Sequence, residues 1–167
     1  WSSEVMEALE LPGAWFPSVL ESPEPAGRVG AGHGPLQGTS VAAGAGDQAA
    51  AAVGVGAVRP GVLSVVLGTS GVVLAPLPAY AHDVEARVHA FCHAVPGTWQ
   101  AMGVMLSAAG SLQWVRNVAA PGSPFDGLVE EAAAWPAGAE GLVFLPYLAG
   151  ERTPHADPDA RGAERAR

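Results

Sequence analysis

Residues 41–75 read VAAGAGDQAAAAVGVGAVRPGVLSVVLGTSGVVLA, and they are the most informative part of the chain. A short apolar run, Val41 to Gly44, leads through Gly46 to an acid, Asp47. An alanine-rich stretch of helical composition follows, from Gln48 to Val58. Asp suits a helix N-terminus, because its carboxylate accepts bonds from the N–H groups left free there. Gly54 and Gly56 weaken an isolated helix, so close packing against a neighbour is expected. Arg59-Pro60-Gly61 is the clearest break in the chain. Beyond it, Val62 to Leu67 and Val72 to Ala75 are β-branched runs around Gly68-Thr69-Ser70-Gly71, which predicts a hairpin. Residues 60–81 carry no charge and are long enough to span a bilayer. Gly61, Gly68, Gly71, Pro76 and Pro78, with Thr69 and Ser70 at the centre, favour two short strands instead.

Working outward, Val5 to Leu11 ends a helix stopped by Pro12-Gly13. Pro17 to Gly38 is rich in Pro and Gly, lacks an apolar period and is expected to be a loop. Arg87 to His93 alternates like a strand, and Thr98 to Met102 is a second short candidate. Met105, Ala108, Leu112, Val115 and Ala119 follow helical spacing. Phe125 to Trp135 predicts another helix, Leu142 to Leu145 a buried strand, and Pro146 to Ala160 a polar loop. Mixed strands and helices indicate an α/β or α+β class.

Composition narrows the chemistry. Of 167 residues, 49% are apolar, but 33 of these are Ala, so the core is small-grained. A net charge of −8 makes nucleic acid and membrane surfaces poor partners. All eight basic residues are Arg. Without Lys the chain can hold no Walker A loop, Schiff base or lysine nucleophile. A single Cys excludes an internal disulfide and suits a reducing compartment. The chain opens at Trp1 with no visible signal peptide, as in the middle of something longer.

Four constellations could carry chemistry. Asp47 is either a plain N-terminal cap or a general base acting on a hydroxyl. Gly68-Thr69-Ser70-Gly71 is either an ordinary turn or a phosphate cradle of N–H groups and hydroxyls. His89-Ala90-Phe91-Cys92-His93 suggests a metal site, but strand geometry points Cys92 away from both His side chains and favours packing. Glu151-Arg152-Thr153-Pro154-His155 with Asp157 is either a loop satisfying its own charges or a ligand or interface loop. The Gly-x-Ser-x-Gly elbow of serine hydrolases is absent.

Three motifs occur in order: residues 41–56, VAAGAGDQAAAAVGVG; residues 64–72, SVVLGTSGV; and residues 144–155, FLPYLAGERTPH. Together with residues 88–94, VHAFCHA, and 105–109, MLSAA, they resemble the FGGY family of carbohydrate kinases, and its xylulokinase branch most closely, over roughly residues 1 to 162. The resemblance implies an α/β, actin-like/ribonuclease H-like fold with two large domains around a cleft. Residues 1–58 would end the N-terminal, sugar-binding domain. Residues 59–162 would start the C-terminal, nucleotide-binding domain, and 163–167 would be a divergent tail. It implies Asp47 as the base, with Gln48 touching sugar hydroxyls. Gly68, Thr69, Ser70 and Gly71 would be a phosphate turn, and Ala109 and Gln113 would contact nucleotide, Ala109 standing where glycerol kinases have Gly. It further implies ATP and Mg²⁺, no metal-binding residue of the chain itself, and conversion of D-xylulose to D-xylulose 5-phosphate in the cytoplasm. A homodimer stays open for the full enzyme. Departures are the missing Asp-x-Gly-Thr hairpin, Met-His pair and late Gly-Gly-Gly motif, as in a central third of the enzyme that is inactive alone. Kinases of ribulose, gluconate or glycerol, or an inactive remnant, are the alternatives.

Overall fold

The computed structural model describes residues 1–165. The chain begins with a short helix, α1 (Ser3–Ala8), capped by the Ser2 hydroxyl. A two-stranded antiparallel ribbon follows, β1 (Pro25–Arg28) against β2 (Ser40–Ala42). Helix α2 (Asp47–Gly54) comes next. A four-stranded antiparallel sheet is built from β3 (Ser64–Leu67), β4 (Gly71–Leu77), β5 (His89–Cys92) and β6 (Trp99–Met105), in the order β3-β4-β6-β5. Two helices, α3 (Ala109–Ala119) and α4 (Phe125–Ala133), precede a last pair of strands, β7 (Val143–Leu145) and β8 (Ala163–Arg165).

The uncharged stretch 60–81 therefore contains a hairpin, with Leu67 paired to Gly71 across the Gly-Thr-Ser-Gly turn. No helix among the described residues is long and apolar enough to cross a membrane.

Several sequence expectations need correction. Residues 17–38 are not loop throughout, since Pro25–Arg28 pair with Ser40–Ala42. Backbone partnering supplies what the side chains of Pro25-Ala26-Gly27 do not. Met105 does not open a helix; it closes β6, because β4 extends the ladder as far as Gly71↔Met105. The alanine-rich helix stops at Gly54, and Gly56 turns the chain with φ of 79°. β7 is not buried: Val143 and Leu145 remain exposed. Ala163–Arg165, within the stretch read as a divergent tail, pair with β7 as a strand.

α2 packs on one face of the sheet through Ala52 against Leu74 of β4. Strand alternation puts Val72, Leu74 and Pro76 of β4 beside Val104, Met102 and Gln100 of β6. Leu74 is 1% exposed and packs with Ala52, Ala57 and Val62. Small residues on α2 let its backbone come close to the sheet. His93, 2% exposed, fastens the two layers. Its Nδ1 accepts from the Val95 N–H at 3.0 Å, so Nε2 carries the proton and donates to the Ala57 carbonyl at 3.1 Å. His93→Ala removes both bonds and leaves a void. It is expected to cost about 2–4 kcal/mol in a urea melt. A loss below about 0.5 kcal/mol, the range of surface substitutions, would contradict this role.

The β4–β5 connection is pinned by Asp83, which accepts from Arg87 Nε at 2.8 Å and from the Arg87 N–H at 3.0 Å. The Arg87 side-chain hydrogen bond holds the Asp83 carboxyl down at about 2.

Candidate active site

Asp47 is the first residue of α2, and Gly46, not Asp47, occupies the cap position. Its Oδ1 accepts from the Gln48 N–H at 2.8 Å. Its other carboxylate oxygen takes part in no hydrogen bond or ion pair among the described residues. The side chain is exposed, and Gln48 beside it is half-buried. Both open on a cleft of about 380 Å³ lined by Gly46, Ala49, Phe91, Cys92, Gln100 and Met102. The floor is thus the β5–β6 side of the sheet and the wall is the start of α2. The volume lies within the ordinary range for small-molecule sites, roughly 300–1,000 Å³.

The Gly68-Thr69-Ser70-Gly71 turn forms a second cluster, with the start of α3. No side chain caps α3. Its N–H groups are satisfied by the turn instead. Ala108 donates to the Thr69 carbonyl at 2.8 Å, Gly110 to the same carbonyl at 3.1 Å, and Ala109 to the Gly68 carbonyl at 3.0 Å. The Gly68 and Thr69 carbonyls therefore point to the helix, while the Ser70 carbonyl accepts from the Gly68 N–H at 2.9 Å. Among the described residues, the N–H groups and hydroxyls of Thr69 and Ser70 make no hydrogen bond. A Cβ on Gly110 would stand 3.0 Å from the Thr69 carbonyl oxygen, and one on Gly71 would stand 3.2 Å from Ala108 Cβ. Two glycines thus permit the close approach. The first lies one residue beyond Ala109, the position singled out from the sequence.

The structure brings Asp47 and Gln48 together in the cleft, and joins Gly68, Thr69, Ser70, Gly71 and Ala109 at the turn. Gln113 lies one helical turn further along α3, where its Nε2 donates to Asn117 Oδ1 at 2.8 Å. Gln100, in the cleft floor, was not marked by any motif. The available signal was a lone amide on the same strand face as Met102 and Val104. The His89–His93 segment forms no metal cluster, and none of three or more His, Cys, Asp or Glu occurs among the described residues.

The Glu151 loop is anchored to β6 where β5 has ended. Glu151, 3% exposed, accepts from the Leu106 N–H at 3.0 Å and the Arg152 N–H at 2.7 Å. Thr153 bonds to both the N–H and the carbonyl of Val104. The polar loop thus completes the sheet edge just before the segment that meets the Gly68–Gly71 turn.

Residues 63–165, well over half of the chain, match the model for the C-terminal domain of the FGGY family of carbohydrate kinases. The chain belongs to the FGGY family. Among curated FGGY relatives, the xylulose kinase of Lactococcus lactis is 40% identical over 167 residues, 98% of this chain and 33% of the relative. The xylulose kinase of Escherichia coli is 40% identical over 166 residues, 97% of this chain and 34% of the relative. A crystal structure of a xyloylose kinase from Brucella ovis superposes with a TM-score of 0.87 at 43% identity, over 100% of this chain and 34% of that one. The chain spans about a third of the length of the curated FGGY relatives it matches. The actin-like α/β fold expected from the sequence is thereby shown.

Proposed function

We propose that these residues are the middle third of an ATP-dependent xylulose kinase, with Asp47 as its general base. The observation that carries this reading is a carboxylate with one free oxygen at the wall of a small-molecule cleft. Asp47 takes the proton from a sugar hydroxyl. The hydroxyl oxygen forms a bond to the γ-phosphorus of ATP as the bond to the β,γ-bridging oxygen breaks. ADP leaves, and Asp47 later returns its proton to solvent. Such transfer needs mainly positioning and charge neutralisation.

Thr69 and Ser70 offer free N–H groups and hydroxyls to phosphate oxygens, which suits a chain without Lys. Their donors are held in place because the Gly68 and Thr69 carbonyls are committed to the start of α3 and the Ser70 carbonyl to the Gly68 N–H. Mg²⁺ is commonly bound by one or two carboxylates and the nucleotide's phosphates, and when bound neutralises phosphate charge. No residue of this chain is assigned to the ion.

ADP release by the full-length kinase should be measured with D-xylulose, D-ribulose, gluconate and glycerol. Turnover is expected with D-xylulose. Turnover confined to one of the other three would overturn the substrate assignment. The 167 residues alone should release no ADP in response to xylulose.

A further inference from the structure

Gln100 occupies the middle of β6 and is 3% exposed. Its Oε1 is buried without a hydrogen-bond partner, and its Nε2 makes no hydrogen bond among the described residues. Its neighbours on the same row of β6, Met102 and Val104, are apolar. A strand facing α2 could hold Met or Leu at this position without leaving an amide unsatisfied. A buried polar group without a partner is destabilising, so each one in a folded protein calls for an explanation. Gln100 also lines the cleft beside Asp47, Gln48 and Phe91.

We propose that Gln100 hydrogen-bonds a hydroxyl of the sugar in this cleft and so selects among sugars. The proposal rests on the reading of the cleft as the sugar site. A carboxylate such as that of Asp47 can only accept, whereas an amide offers both an acceptor and a donor. A sugar hydroxyl is likewise both. The last torsion of a Gln side chain is broad and roughly two-fold, so either end of the amide can be presented at small cost. Asp47 takes the reacting hydroxyl, and Gln100 contacts a neighbouring one. Phe91, 45% exposed, gives the sugar's C–H groups an apolar wall. A sugar lacking the hydroxyl that Gln100 meets leaves the amide unpaired, which is how hydrogen-bonding sites reject deoxy analogues.

The test is Gln100→Met in the full-length kinase, a change that keeps the shape and removes both hydrogen-bonding ends. KM for the sugar is expected to rise about tenfold, the scale of one lost hydrogen bond, with KM for ATP within about twofold. The Tm should be unchanged or higher, because an unsatisfied buried amide has gone. Among monodeoxy sugars, wild type should lose about tenfold at one position where the variant loses nothing, the signature of a direct pair. An unchanged sugar KM would overturn the proposal, as would both KM values rising together with a fall in Tm.

Equilibrium binding of sugar to the full-length kinase, followed by calorimetry, supplies a readout independent of turnover. Phe91→Ala removes the exposed apolar wall of the cleft and Gln100→Met removes the amide. If both variants bind sugar with the wild-type Kd, the cleft is not the sugar site and both readings fail. If Phe91→Ala weakens binding and Gln100→Met does not, only the assignment of Gln100 fails. If wild type turns over another sugar, the same comparison is made with that sugar.

Discussion

Asp47→Ala in the full-length kinase is expected to lower kcat by about 10²–10⁴-fold, the range supplied by a positioned general base. The side chain is exposed and bonds only to its own neighbour's N–H, so the fold should persist. Loss of a negative charge from the first turn of α2 should cost only about 0.3–1 kcal/mol. The two effects are therefore separable. Steady-state kinetics would show kcat collapsing while the thermal melt moves slightly. Asp47→Asn, which keeps the shape and the Gln48 contact, should be nearly as inactive, because an amide cannot take the proton. Near-normal kcat in either variant would remove Asp47 from the role of base.

Gly150→Ala is expected to lower stability by about 3 kcal/mol. Gly150 has φ of 78°, and an added Cβ would lie 2.6 Å from the Pro158 carbonyl oxygen and 2.9 Å from the Pro158 carbonyl carbon and Cα. All of these are backbone atoms, so no side chain can swing aside. Gly122→Ala is the matched control. Gly122 has φ of 80° with nothing within 4 Å of the added Cβ, so only backbone strain remains, about 1–2 kcal/mol. Denaturant melts of the two variants separate collision from strain, and equal losses would show that the Pro158 contact does not matter. Gly150 directly precedes Glu151, which holds the Leu106 N–H ahead of the residues that grip the Gly68–Gly71 turn, the proposed phosphate site. KM for ATP should accordingly rise more than KM for the sugar.

The parts of the fold legible in sequence were those with local signals. The β3–β4 hairpin has two β-branched runs and a glycine-flanked turn, and it forms as read. The first ribbon was illegible because Pro25-Ala26-Gly27-Arg28 contains no residue that favours a strand; its partner strand organises it. Met105 fits the helical spacing of α3 equally well, and only the length of the β4 partner assigns it to β6. Ala163-Glu164-Arg165 lacks apolar alternation, yet Val143-Phe144-Leu145 supplies the ladder. The site divides in the same way. Asp47 and the turn each sit in a compact motif. Gln100 lies 53 positions from Asp47, and the two share a cleft only because α2 folds across the sheet.

The contact between α2 and the sheet also has a calorimetric consequence. Apart from proline and glycine, the apolar residues buried among those described are Ala49, Ala52, Ala57, Leu74 and Val104, and three of the five are alanines. The heat capacity released on unfolding scales with newly hydrated apolar area, as does the denaturant slope. Methyl groups contribute little to either. This segment on its own should therefore unfold with a small heat-capacity step, a flat stability curve and a shallow dependence on urea. The small residues that let a helix lie close over the sheet also make its melting gradual.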